Sequence, residues 1–248
     1  MTGIRRFFAR NWSILAVIAA WQAWVTIAEL NSIVLPGPLP VARDIATNPG
    51  LYLANAAQTL AVSASGLVIG FALGILVAVL AWCSRLLSGM LTPIGLIFSS
   101  IPIVALIPIL ARILGYDIST VVAIVAVSAF FPTFVFAGAG LNDLPRGAPD
   151  LFAVFGASRI QRFYRLVLPS AVPNMMIALR LIVPESVLAA ILAEFLMGRS
   201  GLGFLFREAT GRFAMERALG TSLVAAVTAI ICFFLAQRAE RAVKARWS

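Results

Sequence analysis

Long apolar runs separated by short polar ones set the pattern of this chain. Six apolar segments stand out, near Trp12–Leu30, Leu60–Trp82, Leu91–Leu110, Val121–Leu141, Ala171–Met197 and Ala218–Ala236. Each is close to the roughly 20 residues that carry a helix across a bilayer. Hydrocarbon offers no partner to backbone N–H and C=O groups, so each segment is expected to be a helix. The pattern predicts an all-α, polytopic membrane protein with about six transmembrane helices.

The first segment has a competing reading. Arg5, Arg6 and Arg10 ahead of an apolar run also describe a signal peptide, and Arg5-Arg6-Phe7-Phe8 hints at a twin-arginine signal. No small-x-small cleavage site follows before Glu29, and five more segments come after, which favours an uncleaved first helix.

Composition removes the soluble alternative. The chain is 61% hydrophobic and 12% charged, whereas a soluble domain carries about 25% charged residues. Its net charge of +9 would suggest nucleic acid in a soluble protein. Here the basic residues lie mainly between apolar runs, where they set membrane orientation; no nucleic-acid partner is expected. Cys83 and Cys232 make neither a disulfide framework nor a metal site. The absence of His removes the commonest general base and metal ligand.

With the N-terminus inside, cytoplasmic segments hold Arg5, Arg6, Arg10, Arg85, Arg146, Arg159, Arg162, Arg165, Arg238, Arg241, Lys244 and Arg246. Outside fall Arg43, Arg112, Arg199, Arg207, Arg212 and Arg217, half as many. That excess predicts both termini in the cytoplasm. Two outer connections look structured: Leu35-Pro36-Gly37-Pro38-Leu39-Pro40, a rigid turn, and Ser200-Gly201-Leu202-Gly203, a tight backbone bend.

The connection Asn142–Ser170 is far longer than the cytoplasmic one at Cys83–Met90. It reads as two short helices meeting at a break. Pro149 and Asp150 suit the start of the first, and Gly156-Ala157 interrupts. Ser158 and Gln161 form a capping box that restarts the helix. In the second helix Ile160, Phe163, Tyr164 and Val167 share a face by their spacing, and Pro169 is expected to end it or bend the chain into the fifth span. An interfacial amphipathic helix explains that face; a rigid hairpin also suits docking of another protein.

This run, Asp150-Leu151-Phe152, three residues, Gly156, nine residues, Leu166-Val167-Leu168-Pro169, resembles the EAA loop of binding-protein-dependent ABC importer permeases. Gly156, Leu168 and Pro169 match that family's pattern outright, Asp150 and Leu166 are conservative replacements, and Leu151 and Phe152 depart from its two alanines. Leu35-Pro36-Gly37-Pro38, Ser100-Ile101-Pro102-Ile103-Val104-Ala105-Leu106-Ile107-Pro108, Gly156-Ala157-Ser158 and Ser200-Gly201-Leu202-Gly203 resemble segments of one branch, the permeases for sulfonates, taurine, nitrate and related small solutes. The resemblance implies a single ABC-permease transmembrane domain over residues 1–248. In it, 1–34 form the N-terminal tail and first span, 35–248 the family core, and 142–170 a cytoplasmic coupling-helix hairpin between the fourth and fifth spans. It further implies that Asp150, Gly156, Ala157, Ser158, Leu166, Leu168 and Pro169 couple to a cytoplasmic ABC ATPase. A second permease copy, as in a homodimer, and an extracytoplasmic solute-binding protein are the other implied partners, in a bacterial inner membrane.

Within the spans, Arg180, Glu185 and Glu194 are the only ionisable cluster at membrane depth. Such charges face a cavity or a partner. Arg180 and Glu194 lie near opposite ends of the fifth span, where snorkelling also accounts for them. Glu185, deepest, is the best pathway candidate, with pairing to Arg180 or a neighbouring subunit as its alternative. Pro102 and Pro108 can open irregular backbone toward a cavity or simply bend the helix. Gly66, Gly70 and Gly74 permit close helix packing.

These readings predict a transport subunit with no catalytic residues, cofactor or metal. A phosphate-binding G-x-x-x-x-G-K-[ST] loop is impossible, because the only lysine, Lys244, precedes Ala245; ATP must be hydrolysed by a partner. A small anion such as a sulfonate, taurine or nitrate is the first expectation for the solute, with a thiamine precursor or aromatic acid as the alternative. A stand-alone secondary transporter leaves the hairpin unexplained, and an intramembrane enzyme lacks the side chains.

Overall fold

The structure, a computed structural model, describes the backbone of residues 2–246 and the side chains of residues 12–98 and 100–246. The side chains of Arg5, Arg6 and Arg10 lie outside the described residues. Eleven α-helices follow in order among the described residues: α1 (Thr2–Ile27), α2 (Pro38–Thr47), α3 (Pro49–Cys83), α4 (Arg85–Ser99), α5 (Ile103–Leu114), α6 (Ile118–Asn142), α7 (Ala148–Val154), α8 (Arg159–Arg162), α9 (Leu168–Met197), α10 (Leu202–Gly211) and α11 (Met215–Lys244). Among the described residues, four stretches are long and apolar enough to cross a membrane: Pro49–Cys83, Ile118–Asn142, Arg159–Met197 and Met215–Lys244. The protein is an all-α polytopic membrane protein.

One of the six predicted segments takes a different form. Leu91–Leu110 is not one continuous helix: α4 and α5 meet at 103° across a short break. Pro102, with φ −60° and ψ 124°, caps α5 and has no N–H to continue α4. Its ring also drives Ile101 away from helical geometry. Pro108, by contrast, sits inside α5 without ending it. The first segment lies in α1, a helix of 26 residues whose described side chains begin at Trp12.

Small residues set how the spans pack. A Cβ on Gly66 would lie 2.5 Å from the Val125 side chain, one on Gly74 would lie 2.8 Å from the Phe130 carbonyl oxygen, and one on Gly70 would strike the Ala126 carbonyl oxygen. The pairing rises in step along both chains, so α3 and α6 run parallel with their backbones in near contact. α9 packs antiparallel to both. At one end Ala171 approaches Gly140; at the other Ala193 and Met197 join Ile124 and Val62 in the core. α11 lies along α9, and Arg180 meets Glu240 near the end that carries the α6–α9 connection. The bundle therefore has a hairpin end, with Trp82, Asn142 and Glu240, and an opposite end, with Tyr52, Asp117 and Gly201.

Candidate functional site

The hairpin is built by local rules. α6 ends at Asn142, and Gly147 (φ +77°) turns the chain into α7, with Pro149 and Asp150 in its first turn. Gly156 takes φ +64° while its neighbour Ala157 donates its N–H to the Phe152 carbonyl at 3.0 Å. This left-handed closure, in which the N–H reaches back five residues, is a Schellman ending and suits glycine. Ser158 then starts α8: its N–H donates to Gln161 Oε1 at 2.9 Å, and the Gln161 N–H donates to Ser158 Oγ at 3.2 Å. Both helices and the capping box lie where the spacing predicts.

Beyond α8 the structure corrects the expectation. Pro169 neither ends the helix nor bends the chain away. A π turn, Phe163–Val167, carries α8 directly into α9, and Arg159–Met197 forms one apolar stretch of 39 residues. Pro169 falls in the first turn of α9, where its missing N–H costs little because the wider π turn has already shifted the ladder. The same turn breaks the predicted common face. Leu166 and Val167 are buried, whereas Ile160 and Tyr164 are 70% and 63% exposed.

The coupling candidates separate accordingly. Asp150, Gly156 and Ser158 are exposed on the hairpin, Ala157, Leu168 and Pro169 are half-buried, and Leu166 is buried within its own chain. The most prominent apolar groups on the hairpin are ones the motif did not nominate: Val154, 83% exposed, and Phe155, 78% exposed, with Leu151 beside them. Their only signal in the sequence is apolar character next to a glycine stop.

At membrane depth the α4–α5 break opens on a cavity of about 230 Å³, lined by Pro102, Ser128, Pro132 and Glu185 among others. Glu185 is exposed, about 26 Å along α9 from Leu168 and about 18 Å from Met197. Among the described residues it has no ion pair. Arg180 does not reach it; the guanidinium lies 3.1 Å from Glu240 Oε2, and Lys244 lies 2.8 Å from Glu240 Oε1.

Glu194 does not snorkel. It is 2% exposed; its Oε2 accepts from Thr59 Oγ1 at 2.8 Å and from the Gly203 N–H at 3.1 Å. The Thr59 hydroxyl in turn accepts from the Leu202 N–H at 2.9 Å, and Asn55 Oδ1 accepts from the Gly201 N–H at 3.0 Å. α3 and α9 thus satisfy the free N–H groups at the start of α10, where a carboxylate also suits the helix dipole. The arrangement explains Ser200-Gly201-Leu202-Gly203: Gly201 has φ +95°, and a Cβ there would strike the Glu194 carboxylate, while one on Gly203 would strike the Ile191 carbonyl oxygen. A second tie at this end joins α2, α3 and α11, with Arg217 3.1 Å from Asp44 Oδ1 and the Tyr52 hydroxyl donating to Asp44 Oδ2. Thr59, Asn55, Asp44 and Tyr52 were invisible as site residues because their partners lie far away in sequence.

Known proteins share this architecture. The family described as "Binding-protein-dependent transport system inner membrane component" matches residues 70–248. The formylaminopyrimidine transport permease protein ThiX of Halalkalibacterium halodurans is 33% identical over 180 residues, 72% of each chain. SsuC of Escherichia coli K12, a permease named for aliphatic sulfonates, is 28% identical over 206 residues, covering 79% of this chain and 75% of its own. Among solved structures, the inward-facing MetNI methionine ABC transporter superposes with a TM-score of 0.67 at 21% identity, over 78% of this chain and 96% of that one. The chain belongs to the binding-protein-dependent transport system inner membrane component family, the membrane-embedded permeases of ABC importers.

Proposed function

We propose that this chain forms half of an importer's solute pathway and couples it, through the Ala148–Arg162 hairpin, to a separate cytoplasmic ATPase. The observation that carries this reading is the hairpin itself: a capped, glycine-broken helix pair that exposes Val154 and Phe155 and runs without interruption into span α9. A push on α8 therefore reaches membrane depth through one continuous helical stretch. Asp150, Gly156, Ala157 and Ser158 shape the contact, Leu151, Val154 and Phe155 supply its apolar area, and Leu166, Leu168 and Pro169 root it in the bundle.

The arginine distribution favours both termini in the cytoplasm of a bacterial inner membrane, with α1 and the α4–α5 pair completing six crossings. A second permease copy, in a homodimer, covers the face of α9 that bears Leu181, Glu185 and Leu188, all exposed in the single chain; a carboxylate at that depth is costly against lipid. A solute-binding protein docks at the opposite end.

Pro102 and Glu185 line the pathway in this reading, whereas Arg180 and Glu194 act as anchors. The motif resemblance favours a small anion such as a sulfonate, taurine or nitrate. The cavity favours the alternative, a thiamine-precursor-like heterocycle. Its lining offers a carboxylate and no cation, and Arg180, on the same helix as Glu185, faces Glu240. Hydrogen-bond donors on a neutral or basic solute suit Glu185 better than a sulfonate does.

Gly156→Pro tests the coupling. Proline holds φ near −65° and cannot take the φ +64° found there, so the variant should lose ATPase co-purification and transport while still inserting in the membrane. Retention of both would sink the assignment.

A further inference from the structure

At the hairpin end the last turn of α3, the first turn of α4 and the α8–π turn enclose a cavity of about 870 Å³. Arg85, Arg159 and Arg162 line it against the rings of Trp82, Phe163 and Tyr164, and no acidic side chain does. Ion pairs among the described residues engage Arg180, Arg212, Arg217 and Lys244, so these three guanidinium groups have no carboxylate partner. The Nε of Arg162 is buried and has no hydrogen-bond acceptor. Of the apolar lining residues Ile160 is 70% exposed, and Leu86 and Met90, on the helix that Arg85 opens, are 73% and 56% exposed.

Three unpaired guanidinium groups around one cavity repel one another and leave donors unsatisfied until an anion enters. Guanidinium is planar and matches phosphate oxygens two at a time. The exposed apolar side chains beside these arginines ask for hydrocarbon on the same ligand. Depth agrees, because the cavity sits where α3 leaves its apolar run at Trp82, and tryptophan and tyrosine favour the headgroup level. Val154 and Phe155, on the separate α7 limb, are not among the lining residues. Basic pockets between spans at the cytoplasmic face bind anionic headgroups.

We propose that Arg85, Arg159 and Arg162 form a binding site for the phosphate of an anionic phospholipid, its acyl chains lying over Leu86, Met90 and Ile160. Such a lipid clamps α8 to the end of α3 and holds the base of the hairpin at the membrane surface. The site is separate from the hairpin tip proposed to meet an ATPase.

The full-length chain, purified in detergent, is titrated with phosphatidylglycerol and with phosphatidylcholine of identical acyl chains, and bound lipid is counted by native mass spectrometry. Phosphatidylglycerol should bind about tenfold tighter, a preference in keeping with several arginines at a headgroup. R85Q/R159Q/R162Q should abolish that preference, while R43Q/R112Q/R199Q, which removes equal charge at the opposite end, should keep it. Should the triple variant not fold, the exposed Arg159→Gln alone should weaken phosphatidylglycerol two- to threefold. Equal binding of the two lipids by the wild type would overturn the proposal. So would a full preference in the hairpin-end triple variant or an unchanged affinity in Arg159→Gln. Displacement of phosphatidylglycerol by equimolar inorganic phosphate would mark a free-anion site instead. Loss of a bound ATPase with lipid preference intact would mark a protein contact.

Discussion

Thr59→Val isolates the tie that holds α10 to the bundle. Thr59 is fully buried, and valine keeps its shape, so no cavity opens. What disappears is one hydroxyl that donates to Glu194 Oε2 at 2.8 Å and accepts from the Leu202 N–H at 2.9 Å. Losing a hydrogen bond to a charged group costs about 1.5–3 kcal/mol, and leaving a buried N–H unpaired costs about 1–3 kcal/mol. Unfolded membrane proteins find substitute partners, and measured interhelical bonds average nearer 0.6 kcal/mol. The balance points to a loss of about 2–4 kcal/mol. Reversible unfolding in mixed detergent micelles, followed by helicity, measures it directly. Thr59→Ser should return to within about 1 kcal/mol of the wild type, because it keeps the hydroxyl. In a double-mutant cycle with Glu194→Gln the two costs should be strongly non-additive. A Thr59→Val protein within about 0.5 kcal/mol of wild type, or additive costs, would refute the idea that Glu194 is held rather than free.

Further outcomes follow from the packing and charges. Gly70→Leu places a side chain against the Ala126 carbonyl and should cost at least about 1–3 kcal/mol by overpacking, read as a lower thermal midpoint, while Gly89→Leu, which meets nothing within 4 Å, should be tolerated. Glu240 is contacted by both Arg180 and Lys244, so Arg180→Gln or Lys244→Gln alone should be mild. R180Q/K244Q leaves a nearly buried carboxylate uncompensated and should exceed the sum of the two single costs in the same unfolding assay. Phe155→Asp alters only an exposed hairpin side chain; it should leave stability within about 0.5 kcal/mol and yet abolish ATPase co-purification.

The long helices and the hairpin were legible because their causes are local. A 20-residue apolar run, a proline in a first turn and a Ser158–Gln161 capping box each act within a few residues of where they are written. The packing of Gly66, Gly70 and Gly74 was legible for the same reason, although the partner helix was not. Pro102 and Pro169 show where local rules divide. Both are prolines beside apolar runs, but Pro102 breaks its span through 103°, whereas Pro169 is absorbed because a π turn precedes it. Nothing in the local sequence distinguishes the two. Glu194 shows the other limit. Its burial depends on Thr59, 135 residues away, and on two glycines whose missing side chains leave room for its carboxylate, a constraint that exists only once α3, α9 and α10 meet. The pairing of Arg180 with Glu240 rather than Glu185 likewise depends on where α11 lies.

Uptake into proteoliposomes tests the central claim most directly. The chain is reconstituted with its cognate ATPase and binding protein, both identified from the neighbouring genes, and supplied with the solute that the binding protein retains. Uptake should require ATP inside or outside according to the side on which the ATPase sits, and Phe155→Asp should abolish it while the permease remains folded. Uptake by this chain alone, driven by an ion gradient without any ATPase, would contradict the account.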